Sequence, residues 1–421
     1  MKIKNLIIGA GISGLSFAYF SDDYLIVEKE SEIGGFCRTI YSNDFVWDYA
    51  GHFFHFKDEN IKEMFLSKVK KEDIIYKEKC TKIFFKNKLI DYPFQTNIHQ
   101  LDKDDFIDCL YDLFNKVEKE EYDNFLDMLY GKFGKSIVNF FLKPYNEKLY
   151  ACDLKKLDKD AMGRFFPYAD KQQIINNMRK NVSTSYNDVF LYPKNGAASF
   201  MNILFNELDK SKVLLNTTIK EIDVENKIAY TSTGLTIEYE NIINTSPLNE
   251  FVSIIKSKNS LINQDIFSYN QVLVFNLGFN KGSKFTKEHW IYFPEKETNF
   301  YRAGFYNNIL NQEKLSMYIE IGYSKDFNIT EQEIKSQLDK TLESLTKVGI
   351  IDKTFVLEDY CTIIMDPAYV HISKESNEAT HKLFESLKAK NIYSIGRYGS
   401  WTYCSMEDSI LQAKELANSI K

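Results

Sequence analysis

Three glycines, one acid and five arginines are the residues of this chain whose spacing could do chemistry. Gly9, Gly11 and Gly14 form the run Gly9-Ala10-Gly11-Ile12-Ser13-Gly14 directly after apolar Leu6-Ile7-Ile8, and Glu28 closes a second apolar run, Tyr24-Leu25-Ile26-Val27. This spacing suits a dinucleotide. Gly9 permits a tight strand-to-helix turn, Gly11 lets the backbone approach a pyrophosphate, and Gly14 allows close helix–strand packing, so that the helix N-terminus faces the phosphates. Glu28 would accept hydrogen bonds from ribose hydroxyls and repel a ribose phosphate, which argues against NADP. Ser13, Lys29, Gly35, Arg38 and Thr39 follow in the same stretch and complete its candidate cofactor contacts. The bland alternative is a glycine-rich turn in an ordinary α/β sheet. A strand before, a helix after and an acid at the right distance count against it.

The arginines matter because they are few. Arg38, Arg164, Arg179, Arg302 and Arg397 are the only arginines among 53 Lys and Arg residues. A guanidinium holds phosphate or carboxylate through two parallel hydrogen bonds, which an ammonium does less well. Each is therefore a candidate for anion binding, with a structural ion pair as the alternative. The run Tyr145-Asn146-Glu147-Lys148-Leu149-Tyr150, just after Pro144, reads either as a base and phosphate contact surface or as a kinked core helix with solvated charges. His52 and His55 are three apart, but no carboxylate or thiol completes a coordination set, so core or cofactor-facing histidines are expected and no metal site.

These residues need elements to hold them. The apolar run into the glycines is a strand, followed by a helix. Residues 41–56 read as strand, turn and strand, and 83–90 as a hairpin turning at Asn87-Lys88. From 102 to about 160 the pattern is helical, with Phe106, Cys109, Leu110 and Leu113 on one face. Residues 174–189, with Asn176-Asn177 and Ser183-Thr184-Ser185, suit a mobile polar loop carrying Arg179. Strands are expected at 190–192, 213–215, 228–230, 241–244, 271–277, 317–321 and 392–395, and helices over 330–345 and from Met406 onward. Gly396-Arg397-Tyr398-Gly399 between the last strand and helix sets a second helix N-terminus beside the cofactor. The fold class is α/β. A discontinuous Rossmann-like cofactor domain (1–80, 186–265, 386–421) carries an inserted helical domain (95–185) and a mixed or antiparallel sheet domain for substrate (81–94, 266–385).

Composition narrows the function. At 421 residues and 44% hydrophobic content the chain can build several cores. Its net charge of −6 gives no support for nucleic-acid binding. No apolar run reaches the ~20 residues of a membrane span. Lys2 and Lys4 before an apolar run superficially resemble a signal peptide, but glycines interrupt it and no A-x-A site follows. The six cysteines are scattered without a C-x-x-C pair, as expected of reduced thiols in a cytoplasmic protein.

With Gly34-Gly35 and Arg38-Thr39, the opening resembles the FAD-binding segment of the amine oxidase and protoporphyrinogen oxidase superfamily. Further segments resemble its UDP-galactopyranose mutase-like branch. Tyr49-Ala50-Gly51-His52-Phe53-Phe54-His55 is similar to the segment whose first histidine lies by the flavin, and Asp91 to Asn97 to the entry into the helical domain. Tyr145, Lys148 and Tyr150 are similar to the Y-x-x-K-Q-W run that binds nucleotide, Phe300-Tyr301-Arg302 to the active-site Y-R, and Gly396-Arg397-Tyr398-Gly399 with Tyr403 and Met406 to the C-terminal segment.

The resemblance implies FAD, reduced when active, held by the glycine loop with Gly35, His52, Gly396, Arg397 and Met406. It implies catalytic roles for Arg302, Arg397, His52 and Tyr403, and substrate contacts from Tyr145, Lys148, Tyr150, Arg164, Arg179, Tyr192, Arg302 and Tyr403. The implied reaction interconverts pyranose and furanose forms of a nucleotide sugar for surface polysaccharide synthesis, and the resemblance allows a reductant such as NAD(P)H and a homodimer. Two departures stand out. Ser405 replaces an aspartate, and Arg164-Phe165-Phe166-Pro167-Tyr168-Ala169 lacks the second arginine of an R-x-P-V-R-like loop, for which Arg179 is only a candidate substitute. The alternatives are a flavin oxidase or desaturase taking hydride from an amine or reduced ring, and an inactive flavoprotein.

Overall fold

Alternation dictates the central layer. Along Lys2–Ile8, Leu6 and Ile8 point to one side and Ile7 to the other, and all three are buried. A strand that is apolar on both faces belongs inside a parallel sheet covered on both sides. The computed structural model, which describes residues 1–180, 188–256 and 264–420, places it there. Lys2–Ile8 pairs in parallel with Tyr24–Val27 and with Thr236–Asn244 in an eight-stranded sheet, and Ile392–Ser394 adds in parallel to Thr236–Asn244. On one face Ile7, Ile26 and Ile243 meet the helices Ile12–Tyr19, Ala198–Asn206 and Met406–Ser419 through Leu15, Phe200, Met201, Ile410 and Ala413.

On the other face Leu6, Leu25 and Ile242 share a core with Leu383 and Leu387 of the helix Lys374–Lys388. That helix packs on this first sheet. The sequence grouped most of it with the second sheet, within 266–385.

The second sheet has seven strands in the order Leu357–Met365, Asn270–Phe279, Ser316–Ser324, Arg302–Phe305, Trp290–Tyr292, Thr81–Phe85 and Lys88–Asp91. It is antiparallel except where Trp290–Tyr292 meets Thr81–Phe85, as a mixed sheet. The hairpin between Thr81–Phe85 and Lys88–Asp91 turns at Lys86 and Asn87, one residue earlier than the sequence suggests. Both turn residues take positive φ, 48° and 62°, as a tight hairpin turn requires.

The helical part carries one irregularity and one departure from expectation. Pro144 follows directly on a π-helical turn, Val138–Leu142, inside a helical run that is continuous from Lys135 to Tyr150, so the missing proline amide falls where the α-helical hydrogen-bond ladder is already interrupted. Lys171–Lys180 is a helix where the polar composition pointed to a loop. Ile174 and Asn177 are its buried residues, and Asn177 Nδ2 donates to Thr96 O at 2.8 Å and Asn97 Oδ1 at 3.1 Å. Ser183, Thr184 and Ser185 lie outside the described residues. Among the described residues no helix is long and apolar enough to cross a membrane, and no His, Cys, Asp and Glu cluster could hold a metal ion. All six cysteines are free.

Candidate active site

The glycine loop is built for close approach. Gly9 has φ +102°, and a Cβ on Gly14 would lie 2.0 Å from the Gly9 carbonyl oxygen, so helix and strand cross here without room for a side chain. A Cβ on Gly11 would meet nothing within 4 Å. Open space therefore lies before Gly11 at the start of Ile12–Tyr19, a helix end with no side-chain cap. Gly34 bridges Gly11, and its amide donates to Ala10 O at 2.8 Å. At the opposite end of the chain, Gly396 has φ +80° and approaches Ser13 so closely that a Cβ would lie 2.1 Å from its hydroxyl. The open cradle, the uncapped N–H groups and the second glycine turn fit a dinucleotide pyrophosphate.

The surrounding side chains are mostly engaged. Glu28 accepts from Ala10 N at 2.6 Å and Glu30 N at 2.9 Å, so it shapes the loop while each oxygen keeps a lone pair. Arg38 donates from Nε to Gly35 O at 2.8 Å and stacks 4.6 Å from the Tyr49 ring centroid. Lys29 is exposed, 4.0 Å from Glu250. Met406 Sδ is 3.6 Å from the Cys37 thiol.

Thr39 is a joint and not a free cofactor contact. It donates to Asp48 Oδ1 at 2.7 Å and accepts from Ala198 N at 3.0 Å. Tyr192, expected at the substrate, is fully buried and donates to Asp48 Oδ2 at 2.7 Å. Its hydroxyl is taken because Asp48 has no cation beside it among the described residues and is satisfied by neutral donors. Burial pushes Asp48 up to about 6, against the hydrogen bonds from Thr39, Tyr192 and Ala197.

Arg302, Arg397, His52, Tyr145, Tyr150 and Tyr403 come together in one tyrosine-lined region. The Arg397 guanidinium lies 4.4 Å from the Tyr403 ring centroid and 5.1 Å from that of Tyr369, and these two rings stack at 6.1 Å and 14°. Its Nε is buried without a hydrogen-bond partner, and no carboxylate pairs with it among the described residues. Arg302 differs. It donates from Nε at 3.0 Å and from Nη2 to Glu320 Oε1, while Tyr301 donates to the other oxygen of Glu320 at 2.5 Å. Glu320 is 1% exposed.

Burial pulls His52 down to about 4, and Arg397 and Arg302 push the same way, so the imidazole is neutral between two cations. Its Nδ1 is 3.2 Å from Ala50 O and so carries the proton. Tyr145 stacks on Phe141 at 5.1 Å and meets Tyr292 edge-on at 4.9 Å. Tyr150 is 1% exposed, so its ring has no open face for a base, but its hydroxyl is buried and unpartnered.

Three further candidates lie at the edge of this region or outside it, Arg164 lining one surface hollow with Tyr403. Lys148 gives its ammonium to Phe293 O, Glu295 O, Thr298 O and Thr298 Oγ1 at 2.8 to 3.1 Å, so carbonyls occupy the donors expected to meet phosphate. Arg164 donates to both oxygens of Asp408 and lies 5.0 Å from the Phe165 ring, which in turn meets Tyr403 edge-on at 5.0 Å. Arg179 is exposed on Lys171–Lys180. Sequence reasoning missed Glu320, Tyr369, Tyr292 and Tyr318, the last with its ring centroid 5.8 Å from the Arg302 guanidinium. For Glu320 a signal existed: it is a lone acid in the apolar run Met317-Tyr318-Ile319-Glu320-Ile321.

Comparison with known proteins gives this geometry a context. A family profile described as an NAD(P)-binding Rossmann-like domain matches residues 7–67. A crystal structure of reduced UDP-galactopyranose mutase superposes with a TM-score of 0.92 at 22% identity, covering 100% of this chain and 94% of that one. The chain has the UDP-galactopyranose mutase fold. Cyclohexylamine oxidase from Brevibacterium oxydans IH-35A is similar at 0.70 and 13% identity, covering 99% and 98%. A protein assigned as a protoporphyrinogen oxidase from Exiguobacterium sp. 255-15 is similar at 0.77 and 14%, again covering 99% and 98%.

Within this mutase-type fold, Ser405 is a helix cap. Its hydroxyl accepts from Asp408 N at 3.1 Å and donates to Asp408 Oδ2 at 2.8 Å. Asp408 thus serves both the cap and Arg164.

Proposed function

We propose that this chain is an FAD-dependent enzyme that interconverts pyranose and furanose forms of a nucleotide diphosphate sugar. The observation that carries the reading is Arg397, a guanidinium that lies over two tyrosine rings with no carboxylate beside it among the described residues. Such a buried cation needs an anionic partner. The other positive groups of the region are spoken for: Glu320 neutralises Arg302, carbonyls cage Lys148, and His52 is neutral. An amine substrate would be repelled by Arg397 and would find Glu320, Asp48 and Asp408 already paired or hydrogen-bonded. This disfavours the oxidase reading.

The Gly9–Gly14 loop, Glu28, Gly35, Arg38 and Gly396 would hold the FAD. When bound and reduced, it supplies a nucleophile for the sugar's anomeric carbon. The protein's task is to stabilise the charge of the departing diphosphate. Arg397 answers the growing negative charge directly, and Arg302, already neutralised, offers directed N–H groups. Tyr145 and Tyr403 orient phosphate oxygens, the Tyr150 hydroxyl is a further donor, and neutral His52 keeps the pocket between the arginines free of a third cation.

The test uses purified protein reduced with dithionite or NAD(P)H and offered a panel of nucleotide sugars. Ring forms should interconvert without net oxidation. Replacing Arg397 with Ala should weaken UDP binding by about 30-fold or more, the ~2 kcal/mol or more that follows loss of a buried charge partner. Unchanged UDP affinity in that variant, or turnover that consumes oxygen and yields peroxide, would reject the reading.

A further inference from the structure

Tyr292 stands among the tyrosines around Arg302, yet the nucleotide-sugar reading gives it no task. It ends the strand Trp290–Tyr292, whose side chains alternate between the two faces of the second sheet. Ile291 enters the core shared by Phe293 and Phe305, whereas Trp290 and Tyr292 lie on the opposite face. There Tyr292 is the cross-strand neighbour of Arg302, and its ring meets Tyr145 edge-on at 4.9 Å and Tyr92 at 5.3 Å.

One hydrogen bond joins the two aromatic side chains of this strand. Trp290 Nε1 donates to the Tyr292 hydroxyl oxygen at 3.1 Å. An indole N–H can only donate, so it takes a lone pair and leaves the phenol its proton. That proton meets no acceptor among the described residues. Neighbouring phenols differ, since Tyr301 spends its proton on Glu320, Tyr192 on Asp48 and Tyr306 on the Asp48 carbonyl. Those three are fully buried, whereas Tyr292 keeps part of its surface open.

The indole is itself firmly held. Trp290 is 7% exposed and lies parallel to Phe53, with ring centroids 5.2 Å apart and planes at 5°, while Phe190 packs at 6.0 Å. Phe53 directly follows His52, so the segment that carries the imidazole also fixes the indole. Burial raises Tyr292 above the ordinary phenol value, against the pull of Arg302 and of the Trp290 hydrogen bond, and it stays a neutral donor at physiological pH. Accepting one hydrogen bond also polarises a phenol towards giving another.

We infer that Tyr292 is a further substrate-binding residue, its hydroxyl donating to an oxygen of the diphosphate beside Arg302, and that Trp290 is a positioning residue that aims this hydroxyl. The inference deepens the nucleotide-sugar reading and rests on it for the diphosphate. A phosphate oxygen is the acceptor because a charged oxygen draws a phenol proton more strongly than a sugar hydroxyl does. Arg302, neutralised by Glu320, brings directed N–H groups without net charge. A neutral O–H beside it adds a donor of the same kind without another cation to desolvate. The plain alternative is that the phenol serves only to satisfy the indole N–H.

A double-mutant cycle in ligand affinity separates the two. UDP and inorganic pyrophosphate are titrated calorimetrically into the full-length protein as purified, in the wild type, Trp290→Phe, Tyr292→Phe and the double variant. Tyr292→Phe keeps the ring and should weaken both ligands by about tenfold, the loss of one charge-assisted hydrogen bond. Trp290→Phe leaves the hydroxyl present but unaimed and should weaken them by about threefold. The double variant should match Tyr292→Phe alone, because the indole acts only through the hydroxyl. It also removes the N–H that Tyr292→Phe leaves buried without an acceptor, so a hydroxyl-free protein with no orphaned donor is included.

Affinities unchanged in Tyr292→Phe, with a loss only in unfolding free energy, would overturn the inference and leave the nucleotide-sugar reading standing. Additive losses in the double variant would overturn the role given to Trp290. If the wild type binds pyrophosphate but not UDP and the cycle holds, the inference stands and the nucleotide-sugar reading falls. A wild type that binds neither ligand would sink both.

Discussion

Asp48 shows how a single buried carboxylate can couple folding to pH. It is 0% exposed and holds Thr39, Tyr192 and Ala197 N together, with no cation among the described residues to balance it. Its folded value is raised from 3.8 to about 6, so the native state binds more protons than the unfolded state between those values. Its contribution is fully present below 3.8 and is lost as pH rises through 6, by about 3 kcal/mol. Urea unfolding at pH 4, 5, 6 and 7 should show this fall in wild type relative to Asp48→Asn, which keeps an acceptor but cannot titrate. Parallel curves for the two proteins would refute it.

Legibility at this scale depended on distance along the chain. Gly9, Gly11, Gly14 and Glu28 could be read because their geometry is local. The partner of Glu320 could not, because its pairing with Arg302 is set by sheet register across 18 positions. Tyr192 looked like a substrate contact until the structure showed which acid consumed its hydroxyl.

Helix ends decide how firmly elements are held. The helix Met406–Ser419 begins with a reciprocal cap between Ser405 and Asp408, and the neighbouring Glu407 accepts from Lys57 N at 2.7 Å and Asp58 N at 2.8 Å. Ser405→Ala should cost about 1 kcal/mol in denaturant unfolding, the usual effect of losing such a cap. A loss confined to activity, with unchanged stability, would show instead that Ser405 acts on substrate. Most long elements were legible because their periodicity is strong, as in Glu331–Lys347. Lys171–Lys180 was not. Its composition is polar, and what makes it a helix is tertiary: Ile174 in the core and Asn177 bonded to Thr96 and Asn97.

Across the whole molecule, two glycines a few residues apart separate folding from cofactor capture. A methyl on Gly14 would press on the Gly9 carbonyl, whereas space before Gly11 is open to 4 Å. Gly11→Val should therefore purify folded, with wild-type far-ultraviolet dichroism, but without the yellow flavin absorbance. Gly14→Ala should lower the melting temperature of the protein itself, measured by calorimetry on apoprotein. A yellow Gly11→Val protein would mean that the cradle holds no FAD. The central strands were legible as continuous apolar runs, such as Tyr24–Val27 and Asn270–Phe279, whereas the edge strand Leu357–Met365 was not, and where the helical and sheet parts dock was hidden, since side chains such as Asn270 and His371 fasten them through backbone carbonyls.

The contact of Gly396 with Ser13 has one more consequence, for biosynthesis. The wall of the cradle supplied by Gly396 and the strand Ile392–Ser394 joins a sheet begun at Lys2–Ile8. A nascent chain still on the ribosome has only half of this receptacle until residue 396 has emerged. On the proposed FAD reading, full enclosure of the flavin therefore waits until residue 396 is free to fold.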